Sequence, residues 1–563
     1  MRVRISAAIA GFAVIGSLGF SAAGPAGSAD PLRAVLSPLN PAFVRALERG
    51  DVRHPSPQDI TPLQGLLPFV DPTLPSAYDL RDEYRVTGVR GQFPVVTCTI
   101  FGLFASLEST LKPYETCDFS ERHLDGGSEE SDALEANVGA MARWSDPVLE
   151  DDDPWEGGTP YDPARPAVKH VQKVVFLPPR ADALDNDRIK RAVMDRGGVA
   201  VEMRFSRSLL NDTYDSYYTT VETPDVHAVA VIGWDDLFAK EKFTPQAPGD
   251  GAFICKNSLG GNFGAAGYFY VSYYDAFFGR FSLPAVVLAE PASGLIENYQ
   301  YDPVGCTARL GFSSETAWFA NQFVAVSNDP LAAVSFYSYG EAGEYEVFVY
   351  TGVAPGLPQS GTLAAQFAGT LTEAGYHTLR LPEPVPLAVN ERFSVVVRLR
   401  SPGNNYPIPI EHPVPGFDAD FNALPGQSFI SSDGQIWSDL VTYEGPTYAR
   451  SNVCLKAFAG YAPVYPPAYL RVERLVNDLI FYKEYVDRLS WAVHPSNTEP
   501  IAAYRIYRKE KGAPNDSYVF LAETGTTDLS YYVRGLTATS AYAYRVTAVT
   551  SSGRESDPSE VVD

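Results

Sequence analysis

A short stretch that leads into a helix constrains this chain more than any other. Residues 91–102 read Gly-Gln-Phe-Pro-Val-Val-Thr-Cys-Thr-Ile-Phe-Gly, with Gln92 six positions before Cys98. We predict a helix that begins at Cys98 and has Thr97 as its N-cap, because apolar and small residues recur after the cysteine at helical spacing. The residues at this spacing are Phe101, Phe104, Ala105, Leu107, Glu108 and Leu111.

The predicted position of Cys98 has a chemical consequence. The positive end of a helix lowers the pKa of a thiol in the first turn and makes thiolate available near neutral pH. Gln92 carries a neutral side-chain donor that can point at an oxyanion. A lone cysteine on a helix is more often a small buried hydrophobic residue, so a reactive role needs further residues.

Two later segments supply those residues. Residues 225–235 (DVHAVAVIGWD) place His227 before an apolar strand, and residues 253–260 (FICKNSLG) place Asn257 at the end of another. A cysteine with a distant histidine and asparagine is the pattern expected of papain-like proteases. Residues 76–290 therefore resemble a papain-type (C1 family) peptidase domain. Residues 78–81 (YDLR) and 267–274 (GYFYVSYY) fit that family too.

The resemblance implies an α+β fold and assigns a role to each polar residue. Cys98 would be the nucleophile and His227 its base, forming a thiolate–imidazolium pair. Asn257 would orient the imidazole. Gln92 and the backbone N–H of Cys98 would stabilise the oxyanion. Neither a metal nor a cofactor is required. Four further residues are expected at the substrate cleft, namely Val96, Gly126, Gly127 and Leu259.

The residues around these positions depart from the family pattern. Thr99 and Leu259 stand where tryptophans are usual, and Phe93 and Val96 replace glycines between the glutamine and the cysteine. Val226 stands where asparagine or aspartate normally precedes the histidine. An altered supporting shell can cost much of the rate. A catalytically weak or inactive pseudopeptidase is therefore the alternative, and Phe93 and Val96 filling the cleft would favour it. A different Cys-His acyl transferase is a third hypothesis.

The whole-chain composition restricts the partners. The chain has 563 residues and a net charge of −24, which disfavours nucleic acid and anionic membranes. Residues 1–29 have a basic start and an apolar core, which predicts a secretory signal peptide and a secreted protein, with cell-surface association left open. No other apolar run approaches the length of a membrane span. Residues 30–75 are either an N-terminal arm packed on the next domain or a pro-segment.

Cysteine usage and one acidic run give two further expectations. Secretion permits disulfides, and Cys306 and Cys454 fall near the two ends of one later domain, so we expect them to pair. Cys255 is expected to be buried and reduced. Residues 150–153 (Glu-Asp-Asp-Asp) lack the spacing of a calcium loop and predict a solvated loop.

Residues 295–460 lose helical periodicity and alternate aromatic and β-branched residues, for example over 345–350 and 393–397. Asp433-Gly434 predicts a hairpin turn. This pattern indicates an all-β sandwich. Three stretches resemble the lectin-like domain that follows bacterial C1 peptidase domains, at 316–321, 405–411 and 428–434. The resemblance implies a fold more firmly than sugar binding.

Residues 465–563 follow a proline-rich linker at 461–467. Trp491 lies in an early predicted strand, and Leu536 precedes Tyr542 by six residues, which resembles a fibronectin type III domain with its tyrosine corner. The predicted architecture is thus an α+β papain-like domain followed by two all-β sandwich domains. The expected partners are protein or peptide substrates, with a carbohydrate or cell-surface ligand left open for the β domains.

Overall fold

The computed structural model describes residues 33–51, 54–64, 69–95, 97–127, 133–155, 162–223, 225–415 and 421–563. The predicted signal peptide and Val96 lie outside these ranges. Within them, no helix is long and apolar enough to cross a membrane.

The N-terminal arm, residues 33–75, contains strand β1 (Val35–Leu36), helix α1 (Pro41–Arg49) and a 3-10 turn (Thr61–Leu63). The side chain of Asn40 caps α1 by accepting a hydrogen bond of 3.0 Å from the backbone N–H of Ala42. Gly50 ends the helix in the left-handed conformation, at φ 70°.

The α+β region carries α2 at its centre. All of α2 except Thr110 is buried, because its sequence is apolar or small on every face. The bounds are β2 (Ala77–Asp79), α2 (Cys98–Leu111), α3 (Glu121–Gly127), α4 (Leu134–Ala142), β3 (Lys169–Phe176), α5 (Asp187–Asp195), β4 (Val199–Arg204), β5 (Leu210–Asn211), β6 (Ser216–Tyr217), β7 (Val226–Asp235), β8 (Ala252–Lys256), β9 (Tyr268–Ser272) and β10 (Ala285–Pro291).

The next region is built from strands, as its alternation predicts. Its bounds are β11 (Leu295–Tyr299), β12 (Ala308–Gly311), β13 (Thr316–Val324), β14 (Leu331–Ser338), β15 (Gly343–Thr351), β16 (Thr362–Leu371), β17 (Ala374–Val385), β18 (Arg392–Arg400), β19 (Ile408–Glu411), β20 (Ser428–Ser431), β21 (Ser438–Asp439), β22 (Asn452–Val453) and β23 (Leu455–Gly460). The arm joins this region, since β1 pairs with β12.

The C-terminal region forms two facing three-stranded sheets within the described residues, in the orders β24-β25-β28 and β27-β26-β29. Trp491 and Tyr504 pack edge to face in the core between them, with ring centroids 5.5 Å apart. The bounds are β24 (Ala468–Asp478), β25 (Lys483–Ala492), β26 (Ile501–Glu510), β27 (Val519–Gly525), β28 (Ser530–Leu536) and β29 (Tyr542–Thr550).

One sheet crosses the expected boundary near residue 290. Thirteen of the described strands belong to it, and β17 of the second region pairs with β3 of the first. Trp144 reinforces this junction, because its ring stacks between His170 on β3, at 3.7 Å, and Phe458 on β23, at 4.8 Å. Strands from both sides of residue 290 are therefore hydrogen-bonded into one sheet.

The C-terminal region also docks on the first. Tyr114, just after α2, packs against Tyr469 at 5.6 Å between ring centroids and against His494 at 5.4 Å. Beside them, buried Lys169 and Glu115 form an ion pair of 2.5 Å. The proline-rich linker therefore ends in a packed interface.

Two expectations of the sequence are wrong. Cys306 and Cys454 form no disulfide; both are buried thiols, and the Cys306 sulfur donates to the backbone oxygen of Ala308 at 3.3 Å. The acidic run is not uniformly solvated either. Asp153 is buried, with an oxygen 3.0 Å from His123 Nδ1 and an ion pair to Arg122. A buried carboxylate of this kind requires such partners, which lie far away in sequence.

Candidate active site

Helix α2 places Cys98 in its first turn, as the sequence predicts. The backbone N–H of Ala228, on β7, donates to the Cys98 sulfur at 3.1 Å. A donor at this distance favours the thiolate over the thiol. Thr97 is the N-cap residue, as predicted, but its hydroxyl does not make the expected capping hydrogen bond.

His227 and Asn257 come together because β7 and β8 are antiparallel neighbours. His227 Nε2 lies 2.9 Å from Asn257 Oδ1, and the same oxygen accepts the backbone N–H of Ser258 at 2.8 Å. Since Oδ1 can only accept, Nε2 must carry a proton. Proton exchange with a thiol would then use the other ring nitrogen, Nδ1.

Gln92 is oriented by the turn after β8. Its backbone N–H donates to Ser258 O at 2.8 Å, and Ser258 Oγ donates to Gln92 Oε1 at 2.6 Å. Among the described residues, the side-chain nitrogen has a long contact of 3.4 Å with Val95 O. The amide oxygen is therefore occupied, and its N–H groups are the part of Gln92 that can serve an oxyanion.

An aromatic cluster that the sequence did not suggest covers one face of His227. The ring of Phe205 lies 5.2 Å from the imidazole and packs against Tyr217, Phe263 and Phe269. Leu259, which replaces the usual tryptophan, is only half-buried. The sequence feature that could have revealed this cluster is the position of Phe205. This residue directly follows strand β4, and Met203 of β4 is the register partner of His227.

The remaining predicted cleft residues are placed as follows. Phe93 is 69% exposed and does not fill a cavity. Leu259 bridges Gly91 through the backbone. Gly126 and Gly127 form the end of α3. Val96 lies outside the described residues, so its predicted effect on the cleft stays a prediction.

Beneath the site, a buried polar network joins α2 to β8. The Lys256 ammonium donates to Thr87 Oγ1 at 2.9 Å, and the Thr87 hydroxyl in turn donates to Glu108. Burial raises the pKa of Glu108 and lowers the pKa of Lys256, and the attraction between them opposes both shifts. Because Lys256 directly precedes Asn257, this network fixes the end of the strand that presents the asparagine.

The N-terminal arm packs against helix α4. The hydroxyl of Ser56 hydrogen-bonds to Glu135 on α4, and Asn40 Nδ2 donates to Ser56 O at 2.9 Å. Glu202 on β4, which adds to the pKa shift of Glu135, is the register partner of Ala228. Cys98, His227, Asn257 and Gln92 are each at most 7% exposed. The described residues contain no group of three or more histidines, cysteines or carboxylates that could hold a metal.

Comparison with known families agrees with this geometry. Residues 74–277 match the papain family cysteine protease, and residues 298–459 match the lectin-like domain. The chain carries a papain-like cysteine peptidase domain. Neither match reaches residues 465–563, so the fibronectin type III assignment stays a prediction. Among curated proteins, none matches the chain significantly.

Solved structures extend the likeness across both domains. One comprises the cysteine protease and lectin-like domains of Cwp84, a surface layer associated protein of Clostridium difficile. It is 22% identical, with a TM-score of 0.65 over 78% of this chain and 100% of that one. A second, of clostridial Cwp84 after propeptide cleavage, is 24% identical, with a TM-score of 0.60 over 69% of this chain and 100% of that one. They show a shared fold, a papain-like domain followed by a β-rich lectin-like region.

Proposed function

We propose that this protein is a secreted cysteine endopeptidase that uses Cys98, His227, Asn257 and Gln92. The hydrogen bond of 2.9 Å between His227 and Asn257, next to a cysteine at the start of a buried helix, carries the proposal. The extracellular setting rests on the apolar N-terminus and on the likeness to a surface layer associated protein.

In the first half of the reaction, the Cys98 thiolate attacks the carbonyl carbon of the scissile peptide. The oxyanion that forms accepts hydrogen bonds from Gln92 Nε2 and from the Cys98 backbone N–H, each worth ~3 kcal/mol in such sites. His227 gives its Nδ1 proton to the leaving amine, and the C–N bond breaks to leave a thioester.

In the second half, water attacks the thioester carbonyl while His227 takes a proton from it. The C–S bond then breaks, which releases the carboxylic acid and restores the thiolate–imidazolium pair. Asn257 holds the imidazole in one orientation throughout. Phe205 supports this role, because its ring lies 5.2 Å from the imidazole and covers one of its faces.

We also propose that residues 30–75 act as a pro-segment. The contact of Ser56 with Glu135 and the low exposure of the catalytic residues support a covered cleft. Because β1 is part of a sheet with β12, cleavage between α1 and β2 would leave the start of the arm bound to the lectin-like region.

A thiol-directed epoxysuccinyl probe tests the peptidase. We expect labelling at Cys98, located by intact and peptide mass analysis, that is abolished in His227→Ala. Cys117 is the internal control, because burial raises its pKa to about 12 and leaves it a thiol at pH 7. Peptide cleavage should follow the same pattern.

The outcomes separate the alternatives. Labelling only after cleavage within the arm would support the pro-segment. Labelling without peptide cleavage, but with transfer of the acyl group to an amine, would favour an acyl transferase. No labelling in a folded chain, before or after arm cleavage, would refute the peptidase and favour an inactive pseudopeptidase that binds a carbohydrate or cell-surface ligand through its β domains.

A further inference from the structure

The hairpin that joins β24 to β25 ends in four apolar residues, Leu479, Ile480, Phe481 and Tyr482. Ile480 and Phe481 are each 93% exposed, and Tyr482 is 64% exposed. Among the large apolar residues that the structure describes, Ile480 and Phe481 are the most exposed. We call residues 479–482 the apolar tip.

The apolar tip is a tight turn that its own fold does not require. The backbone N–H of Leu479 donates to Tyr482 O at 3.0 Å, so Ile480 and Phe481 occupy the two central positions. Glycine, asparagine and aspartate are the usual residues there, because they adopt the backbone conformation of the turn and are well solvated by water. Neither central side chain joins the core of the sandwich. Their burial must come from outside the molecule.

Charged residues directly behind the tip are paired with one another. Lys483 lies 3.6 Å from Asp478, and Arg534 lies 2.8 Å from Glu484. This collar of two acids and two bases has no net charge, although the whole chain carries −24. The surface that meets the tip is therefore expected to be neutral overall as well.

The tip lies at the opposite end of β24 from the aromatic contacts with the catalytic domain. Strand β24 starts beside Tyr469, which packs on Tyr114, and runs for 11 residues to the turn. At roughly 3.4 Å per residue, the strand carries the tip about 35 Å from that contact.

We propose that the apolar tip inserts into the interface of a lipid bilayer whose headgroups are zwitterionic, as a peripheral anchor for the enzyme. A convex tip of two side chains offers no groove to a rigid partner, whereas a bilayer adapts to it. Phenylalanine and tyrosine suit the boundary between headgroups and acyl chains, and the neutral collar matches phosphocholine groups at the depth that they would reach.

Co-sedimentation of the full chain with phosphatidylcholine vesicles tests this proposal. The double variant Ile480→Asp, Phe481→Asp should lose at least tenfold in vesicle partitioning and keep its circular dichroism, because both side chains make few internal contacts. The matched control is Ile436→Asp, which changes another strongly exposed isoleucine, on the lectin-like region, and should bind as the unchanged chain does.

A second readout locates the insertion. The variant Phe481→Trp should show a blue shift of tryptophan emission with phosphatidylcholine vesicles, relative to the same vesicles with the unchanged chain. The proposal fails if the unchanged chain does not sediment with these vesicles, or if the double variant sediments equally. It also fails if the double variant changes only the oligomeric state in sedimentation velocity, which would assign the tip to a second copy of the chain.

Discussion

At the scale of single residues, the site depends on how the side-chain amides of Asn257 and Gln92 are held. What matters is whether a hydrogen bond fixes the oxygen or the nitrogen of each amide. The turn after β8 fixes both, because Ser258 contacts Asn257 Oδ1 through its N–H and Gln92 Oε1 through its hydroxyl. Both amides are therefore oriented by this one residue. Ser258 is a positioning residue for the proposed reaction.

Ser258→Ala should lower kcat with little change in KM. It removes one hydrogen bond of 2.6 Å, typically worth ~0.5–1.5 kcal/mol, so a loss of about three- to tenfold is expected. Gln92→Ala should cost more, on the order of 10²-fold. Steady-state kinetics of the double variant decides the issue. If Ser258→Ala still lowers kcat in a Gln92→Ala background, its effect does not pass through the oxyanion donor.

Phe205→Leu should weaken the shield over His227. Leucine keeps most of the packing volume but leaves the imidazole edge open, so water can compete for the His227–Asn257 hydrogen bond. We expect kcat/KM to fall severalfold and the acidic limb of its pH profile to shift. The control Phe243→Leu lies in a separate cluster and should leave the profile unchanged. An unshifted profile for Phe205→Leu would show that the ring only fills space.

At the scale of whole elements, the arm is held by a carboxyl that titrates. Burial raises the pKa of Glu135, which hydrogen-bonds Ser56 of the arm, to about 8 from an ordinary 4.5. A folded-state pKa above the unfolded one contributes stability at low pH, and this contribution is lost as pH rises through about 8. Above that pH, Glu135 would ionise close to Glu202, and the arm should loosen.

Glu135→Gln tests this titration, because glutamine imitates the protonated carboxyl. At pH 5 the variant should melt at nearly the temperature of the unchanged chain. At pH 9 it should be more stable, by roughly 1–4 kcal/mol for an elevation of this size. Thermal denaturation at both pH values gives the answer, with Glu473→Gln, an exposed residue, as the control. Equal stabilisation at pH 5 and pH 9 would contradict the raised pKa.

At the scale of the molecule, the catalytic and lectin-like regions are not independent domains joined by a linker. β17 covers the edge of β3, and Trp144 stacks between residues of the two regions. An uncovered strand of this length is a template for pairing with other chains. The lectin-like region therefore has a structural role whether or not it binds a sugar.

A truncated chain that ends at residue 291 should aggregate, because it leaves the β3 edge and the Trp144 ring exposed. A chain that ends at residue 463 keeps the sheet and should remain monomeric. Size-exclusion chromatography with light scattering separates the two outcomes. A soluble, monomeric chain ending at residue 291 would show that the edge needs no cover.

The sequence by itself determined local and chemical features. The helix from Cys98, the strands around His227 and Asn257, and the alternation after residue 295 follow from periodicity and residue type, which act over a few neighbours. The four proposed catalytic residues could be named because their chemistry is rare and their order is distinctive.

Only the tertiary structure decided how distant segments share surfaces. The sheet across residue 290, the shield of Phe205, the burial of Asp153 and the unbridged Cys306 and Cys454 all depend on partners tens to hundreds of residues away. Local patterns carry no record of such partners, because burial is set by whichever surface packs on a residue after the chain has folded. The same holds for the packing of the arm on α4, of which its proline-rich sequence gives no sign.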